Sequence, residues 1–422
     1  MSRLARTVLP LLALLWTPAV RAGTIKVRHS EVVAPAWAVE QVSADIGVVT
    51  HMKSDGELLV LAGQRGVAGV GADGSVRWSV ALPEVMVRNV AVDAQGVAWT
   101  GWNLAGVEDK WKAFNGWASG KLVDKMVVEG ATAGALGRDG QVLWSTDALE
   151  ERPLSPPGLG ADTVGVMTGE SLTVLRRADG SVVNRGDIKS GYKAFSDLSG
   201  VLDHGTRGEV VPVGSDFFTS FFSFLFRFDQ QGLLQDKEFM AGLTPYSDIT
   251  CGPVQLGDLL VFGSTGDSQV ASAFFAMKPD MKNKWKTWSP DKQSGCGNIA
   301  VAGDRVYASS NFWVIALDGK GKIDWQAVNK KGGLYPSSNR GVRYIGNFGA
   351  CKTYGDLMVV GQGRVFVATS NQGHDTLTVL DADKGSYLQT IDVNDTIVSL
   401  ALVGARLAVA TPGGLKLLDL GG

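Results

Sequence analysis

Apolar residues along the chain come in short runs, broken by polar clusters rich in Asp and Gly, a rhythm that suits strands and tight turns better than long helices. The clearest unit is Val314-Ile-Ala-Leu-Asp-Gly-Lys-Gly-Lys-Ile-Asp-Trp325. Val314 to Leu317 is apolar enough for a buried strand. Asp318 to Gly321 supplies side-chain acceptors and tolerance of positive φ for a hairpin, and Lys322 to Trp325 alternates into a partner strand.

Worn copies of this unit recur at Asp73, Asp139, Asp179, Asp229, Asp280, Asp318, Asp381 and Asp419, at intervals of 66, 40, 50, 51, 38, 63 and 38 residues. The mean, about 49, lies within the range of a four-stranded propeller blade with loop insertions. Two further strands precede the hairpin, as in Asn298 to Asp304 and Arg305 to Ser310, and the same order is legible at Val254 to Gly263, Asp356 to Ser370 and Ile397 to Thr411. Each unit therefore reads as a four-stranded antiparallel meander. The last unit, Leu415 to Gly421, stops after its third strand, whereas Pro35 to Glu40 stands unclaimed ahead of the first complete unit. The predicted fold is an all-β, eight-bladed β-propeller in which the N-terminal strand completes the C-terminal blade and removes two open sheet edges. Trp37, Trp78, Trp144, Val183, Leu234, Trp285, Trp325 and Leu388 serve as approximate outer-strand markers for eight blades. Seven is the alternative, because the turn Asp229-Gln-Gln-Gly232 departs most from the pattern.

Composition agrees: 54 glycines against 14 prolines suit many tight turns, and no linker-like segment divides the chain, so residues 23–422 are expected to form a single propeller domain. Residues 1–22 read as a secretory signal, with Arg3 and Arg6, an apolar run from Val8 to Trp16 and Val20-Arg21-Ala22 before the cut. That run is far short of the ~20 apolar residues of a membrane span. No cysteine lies near the cut for lipid attachment, so a periplasmic or secreted protein without an integral membrane segment is expected. Without Arg3, Arg6 and Arg21 the chain keeps 37 basic and 42 acidic residues, a net charge near −5 that argues against nucleic acid or anionic membrane as the main partner.

Two intervals are long. An insertion at about 103–130 with Trp111, Phe114 and Trp117 interrupts the second blade, and a Gly-, Tyr- and Asn-rich insertion at about 330–352, with Tyr335 and Tyr344, precedes the seventh. Either is a candidate for recognition or for a plug over apolar surface. Cys251, Cys296 and Cys351 fall near the first strands of blades five, six and seven, around one channel mouth. In an oxidising compartment a Cys251–Cys296 disulfide is expected, with Cys351 left as a free or channel-mouth thiol; three unpaired structural cysteines, or a metal or redox site, are the alternatives. His29, His51, His204 and His374 lack metal-like spacing and are expected at solvated or turn positions. Asp381-Ala-Asp383-Lys-Gly385 shares the opening of a calcium loop but coincides with the repeat turn. Phe217, Phe218, Phe221, Phe222, Phe224, Phe226 and Phe228 crowd one hairpin and are expected as inter-blade core. No Gly-x-Ser-x-Gly or phosphate-loop motif occurs, and no catalytic or metal-binding residue is assigned.

The pattern Ala-x-Asp-x-x-x-Gly-x-x-x-Trp resembles the repeat of the pyrroloquinoline quinone (PQQ)-type propellers. Ala316, Asp318, Gly321 and Trp325 match with one turn residue deleted, and Asp381 and Gly385 match in length but end in Gln389. That superfamily contains quinone-dependent alcohol and sugar dehydrogenases, which carry an adjacent-cysteine ring and Ca²⁺, and non-catalytic BamB-like periplasmic scaffolds. The absence of adjacent cysteines and the chain length bring this sequence nearer to the second group. The resemblance implies a non-catalytic, monomeric scaffold for a protein or envelope polymer, without cofactor. The alternatives are a divergent PQQ- and Ca²⁺-dependent dehydrogenase and a glycan-binding or glycan-cleaving propeller.

Overall fold

The computed structural model describes residues 24–26, 32–35, 37–40, 43–103, 131–149, 155–168, 171–188, 209–221, 224–239, 249–264, 273–290, 296–309, 313–328, 342–345, 349–352, 356–371, 374–412 and 414–421. They form eight radial antiparallel sheets. Counting along the chain, blade 1 spans Val49 to Ala81, blade 2 Val85 to Leu149, blade 3 Gly158 to Asp187, blade 4 Val211 to Phe239, blade 5 Ile249 to Trp288, blade 6 Asn298 to Val328, blade 7 Met358 to Asp395, and blade 8 Ser399 to Asp419. The first strand of each blade is innermost and the fourth outermost. The eighth blade has only three strands of its own, and β3 (Ala38–Glu40) supplies the fourth, antiparallel to Gly414–Asp419. The ring is therefore closed by the N-terminal strand, and the count is eight rather than seven.

Two additions escaped the sequence pattern. β1 (Thr24–Lys26) pairs in parallel with the outer strand of blade 6, and β2 (Val32–Val33) pairs in parallel with that of blade 7, so both blades carry a fifth strand. The N-terminal segment thus straps blades 6, 7 and 8 in succession before α1 (Ser43–Ile46) leads into blade 1. Among the described residues no helix is long and apolar enough to cross a membrane.

The hydrophobic core consists of eight wedges, one at each blade interface. This follows from the buried strands: Leu58–Gly63, Gly66–Gly71 and Leu259–Ser264 are buried at every position, because both faces of a blade meet a neighbour. The closing wedge joins Met52, Leu59 and Ala68 of blade 1 to Val403, Ala408 and Leu415 of blade 8. The phenylalanine-rich hairpin behaves the same way. Phe217, Phe221, Phe226 and Phe228 fill the interface with blade 3, Phe218 fills that with blade 5, and Phe224 packs at the edge of the blade 3 interface. Phe222 lies outside the described residues.

The repeat turn gains its physical meaning here. All eight turn aspartates accept the backbone N–H two residues on, namely Ser75, Gln141, Ser181, Gln231, Lys282, Lys320, Asp383 and Gly421. The outer-strand tryptophans then lock one blade to the next. Trp78, Trp144, Trp285 and Trp325 donate Nε1–H to the carbonyls of Arg138, Arg177, Gly319 and Ala382, each in the hairpin turn of the following blade. Their rings lie flat against the turn glycines Gly140, Gly180, Gly321 and Gly385, where an added Cβ would stand 2.3 to 2.7 Å from a ring carbon. Those glycines also have φ between +65° and +85°, so the glycine is required twice over.

The register corrects four of the outer-strand markers. Trp325 faces Ala316, and by the same alignment Asn184, Asp236 and Gln389 stand where Val183, Leu234 and Leu388 are expected. In blade 8 the equivalent of Trp325 is Ala38, opposite Leu417. Trp37 is one residue out of step, which turns it to the opposite face of the strand. It packs against the blade 7/8 wedge and donates to the Asp392 carbonyl at 3.1 Å, so it ties the strap to blade 7 and does not cap blade 1.

Candidate functional site: the channel axis and the loop face

Strand direction divides the propeller into two unlike ends. Connections from first to second and from third to fourth strands emerge at one end, and none exceeds five residues. Here the turns are braced by arginines that reach across to a neighbouring blade. Arg138 of blade 2 pairs with Asp55 and the Asp93 carbonyl, Arg177 of blade 3 grips Asp93 at 2.8 Å through Nη1, and Arg305 of blade 6 reaches Asp383 at 2.7 Å. Partial burial disfavours the Asp55 and Asp93 carboxylates, but Arg138, Arg177 and the turn amides outweigh it and hold both below the ordinary aspartate range.

The opposite end carries every long connection: residues 104–130, 150–157, 188–210, 240–248, 265–272, 289–297 and 329–357. The strand ends that flank both insertions expected from sequence, Asn103 and Ala131 for the first and Val328 and Met358 for the second, lie at this face. Trp111, Phe114, Trp117 and Tyr335 lie outside the described residues. Tyr344 lies in a strand, Val342–Ile345, that pairs with Gly349–Lys352 as a separate two-stranded hairpin between blades 6 and 7, with Cys351 opposite Arg343.

The expected disulfide is present. Cys251, inside the inner strand of blade 5, is bonded to Cys296, two residues before that of blade 6, with Cα atoms 5.7 Å apart. The bond sits at the loop-face end of the inner strands and joins two neighbouring blades. Gly263 makes room for it, since a Cβ there would stand 2.7 Å from the Cys251 sulfur.

On the axis the structure brings together three charged groups that the sequence pattern did not single out. Lys53 of blade 1 donates to Glu209, just ahead of the inner strand of blade 4, at 3.0 Å, and to Asp356, just ahead of that of blade 7, at 2.8 Å. No two of these blades are neighbours, so the three side chains meet only by crossing the central channel. Lys53 retains 22% of its side-chain exposure, Glu209 32% and Asp356 38%, so water reaches the cluster although protein surrounds it. Enclosure alone would depress the Lys53 ammonium, but the Asp356 and Glu209 carboxylates override it and hold it above the ordinary lysine range. Asp356 moves up as well: enclosure and the Glu209 charge push its carboxyl above the usual value, against the pull of Lys53. The only sequence signal for this cluster is two acids just ahead of inner strands and a lysine in one, which becomes legible once blades are placed around a ring.

His51 departs from the solvated position expected of it. It is fully buried in the inner strand of blade 1, and its Nδ1 accepts the Val90 N–H of blade 2 at 3.1 Å, which requires the neutral ring. Beside it Thr50 donates to the Val87 carbonyl at 2.6 Å, so the pair pins blade 1 to blade 2. His374 begins a strand of blade 7, while His29 and His204 lie outside the described residues. The Asp381-to-Gly385 segment is a repeat turn in which Asp381 is occupied by backbone amides and Asp383 by Arg305.

Comparison with solved structures gives the same architecture. The crystal structure of BamB from Moraxella catarrhalis superimposes with a TM-score of 0.58 at 13% sequence identity, over 92% of this chain and 97% of that one. The Dos1 propeller does so with a TM-score of 0.54 at 11% identity, over 89% of this chain and 93% of that one. The fold is a β-propeller. At these identities the likeness is one of fold alone. No protein-family model matches the chain, and no curated protein matches its sequence.

Proposed function

We propose that this propeller is an extracytoplasmic, non-catalytic scaffold that binds another protein or an envelope polymer through its loop face. The observation that carries the reading is the asymmetry of the two ends: one is closed by turns of five residues or fewer and cross-braced by arginines, the other bears every long connection on a rigid ring. Rigid elements with variable loops at one end are how folds present recognition surfaces. The Cys251–Cys296 bond supports an oxidising compartment, in line with the signal expected at residues 1–22. The fold shared with BamB is compatible with such a scaffold. The test is capture from envelope extract on immobilised mature chain, in parallel with a variant whose residues 104–130 are replaced by a short Gly-Ser linker. Specific capture by the first and its loss in the second is expected; identical capture by both would refute use of this insertion.

The dehydrogenase alternative has one observation in its favour, the meeting of Lys53, Glu209 and Asp356 on the axis near the disulfide-bearing end. Lys53 already spends its charge on two carboxylates, so an anionic quinone would have to displace Glu209 or Asp356 from it. Calorimetry with pyrroloquinoline quinone and Ca²⁺ decides the matter, and absence of heat at micromolar quinone removes this alternative. Carbohydrate retention that depends on Trp111 and Trp117 would instead favour a glycan-binding propeller.

A further inference from the structure

The outer strand of blade 5, Asn283–Trp288, stands at a free sheet edge: among the described residues it pairs only with Ala273–Met277 on its inner side. Its neighbour on the ring, blade 6, shows what such an edge accepts. There β1 adds in parallel, with Thr24 opposite Gln326, Ile25 opposite Ala327 and Lys26 opposite Val328. Aligning the two outer strands on Trp285 and Trp325 places Lys286, Thr287 and Trp288 at the positions of Gln326, Ala327 and Val328. The edge of blade 5 therefore offers the same three positions, unfilled by any described strand, directly beside the filled ones.

Its chemistry is unlike that of the other edges. Lys284, Lys286 and Trp288 alternate along the strand, all three are exposed, and the strand contains no acid. The outer strand of blade 4 mixes Asp236, Lys237 and Glu238, and that of blade 1 carries Arg77 already paired with Asp73 at 2.7 Å. Asp280, in the hairpin turn ahead of this strand, is occupied by Lys282 at 2.9 Å. Lys286 lies between two rings, 4.0 Å from the Trp288 centroid and 5.1 Å from that of Phe275, which fixes its ammonium at the edge. Trp288 keeps 47% of its surface exposed.

We infer that the blade 5 edge docks an extended acidic segment of a partner protein, which adds as a parallel strand in the register that β1 uses on blade 6. Residues two apart on a regular strand share a face, so the segment that fits carries an acid opposite Lys286 and an aromatic or aliphatic residue opposite Trp288, while Lys284, in the bulge between the Met277–Asn283 and Ala276–Trp285 pairs, adds positive charge for a further acid at the segment's N-terminal end. Main-chain hydrogen bonds supply the pairing, and the lysines select charge. This surface is separate from the loop face and does not depend on it.

The test uses the mature chain and a fluorescein-labelled peptide with a Glu-Thr-Glu-Val-Phe core, read by anisotropy, against a scrambled peptide of the same composition and against heparin. Saturable binding of the alternating peptide is expected, with slower amide exchange over residues 283–288 in its presence. Lys284→Glu with Lys286→Glu is expected to weaken it about tenfold or more, while Lys320→Glu with Lys322→Glu on the turn of blade 6 leaves it unchanged. Replacing residues 104–130 is expected to leave it unchanged too, which keeps a failure here distinct from a failure of the loop-face reading. Equal binding of the scrambled peptide or of heparin, equal loss in both double variants, unaltered exchange over 283–288, or no binding at all would overturn the inference.

Discussion

Replacing Gly385 by alanine tests the claim that the turn glycines exist to receive a tryptophan from the preceding blade. Gly385 has φ of +65°, and an alanine Cβ there would stand 2.3 Å from Cε3 of Trp325, whose ring is 4% exposed and whose Nε1 donates to the Ala382 carbonyl at 2.8 Å. The left-handed backbone alone costs an alanine about 1–2 kcal/mol. Displacing the ring adds about 1 kcal/mol for the buried hydrogen bond and about 1–3 kcal/mol for overpacking. Gly303 supplies the control, since its φ is +61° and nothing lies within 4 Å of its added Cβ. In urea unfolding followed by tryptophan fluorescence, Gly385→Ala is therefore expected to cost about 2–4 kcal/mol more than Gly303→Ala. In a Trp325→Leu background the two substitutions should cost nearly the same. Equal losses in the wild-type background would refute the locking role of Trp325.

The axial cluster predicts unequal costs for two substitutions. Lys53→Met leaves Glu209 and Asp356 facing each other and lowers the unfolding midpoint, by about 1–2 kcal/mol once water in the channel is allowed for, whereas Asp356→Asn is tolerated at neutral pH because the folded state already disfavours that charge. In an alkaline titration of stability, the Lys53 contribution is complete below the ordinary lysine pKa of 10.5 and is lost as pH rises through its higher folded value, so the wild type and Lys53→Met converge there. Asp55 and Asp93 act at the acid end. Their folded values are lowered, so their stabilisation is present above the ordinary value of 3.8 and fades as pH falls through the folded values, a loss that Arg138→Ala and Arg177→Ala should blunt in an acid unfolding series. Cys296→Ser opens a cross-link between residues 45 apart and is expected to cost about 4 kcal/mol by denaturant unfolding under non-reducing conditions, an advantage that dithiothreitol abolishes in the wild type.

What could be read from the sequence was whatever depends on neighbours in the chain. The hairpin at Asp318, with its side-chain acceptor and positive-φ glycine, is a local device, and each of its copies proved to be a turn. Blade closure was legible because Leu415 to Gly421 lacks a partner that Pro35 to Glu40 can supply, and the Cys251–Cys296 pair because both lie near first strands of adjacent blades. The exact register was not: bulges in the outer hairpins shift the tryptophan position, so Asn184, Asp236 and Gln389 took the places assigned to Val183, Leu234 and Leu388. The Lys53 cluster was hidden for a different reason. Its members come from blades that do not touch, and only the curvature of the ring makes them meet. Buried His51 was misplaced because a lone histidine in a strand gives no local sign that a neighbouring blade will offer it an N–H.

The N-terminal strap also sets the order of assembly. The strands β1 to β3, which precede every blade in the chain, find their partners in blades 6, 7 and 8, and the Trp37 bond to Asp392 spans 355 residues of chain. Blade 1 can form its own sheet early, yet its interface with blade 8 must wait for the last strands to be made. Closure by such distant contacts is slow compared with the folding of single hairpins. A polypeptide built this way closes its ring only once blade 8 is present, so the contact between its first and last strands is the step that joins all eight blades.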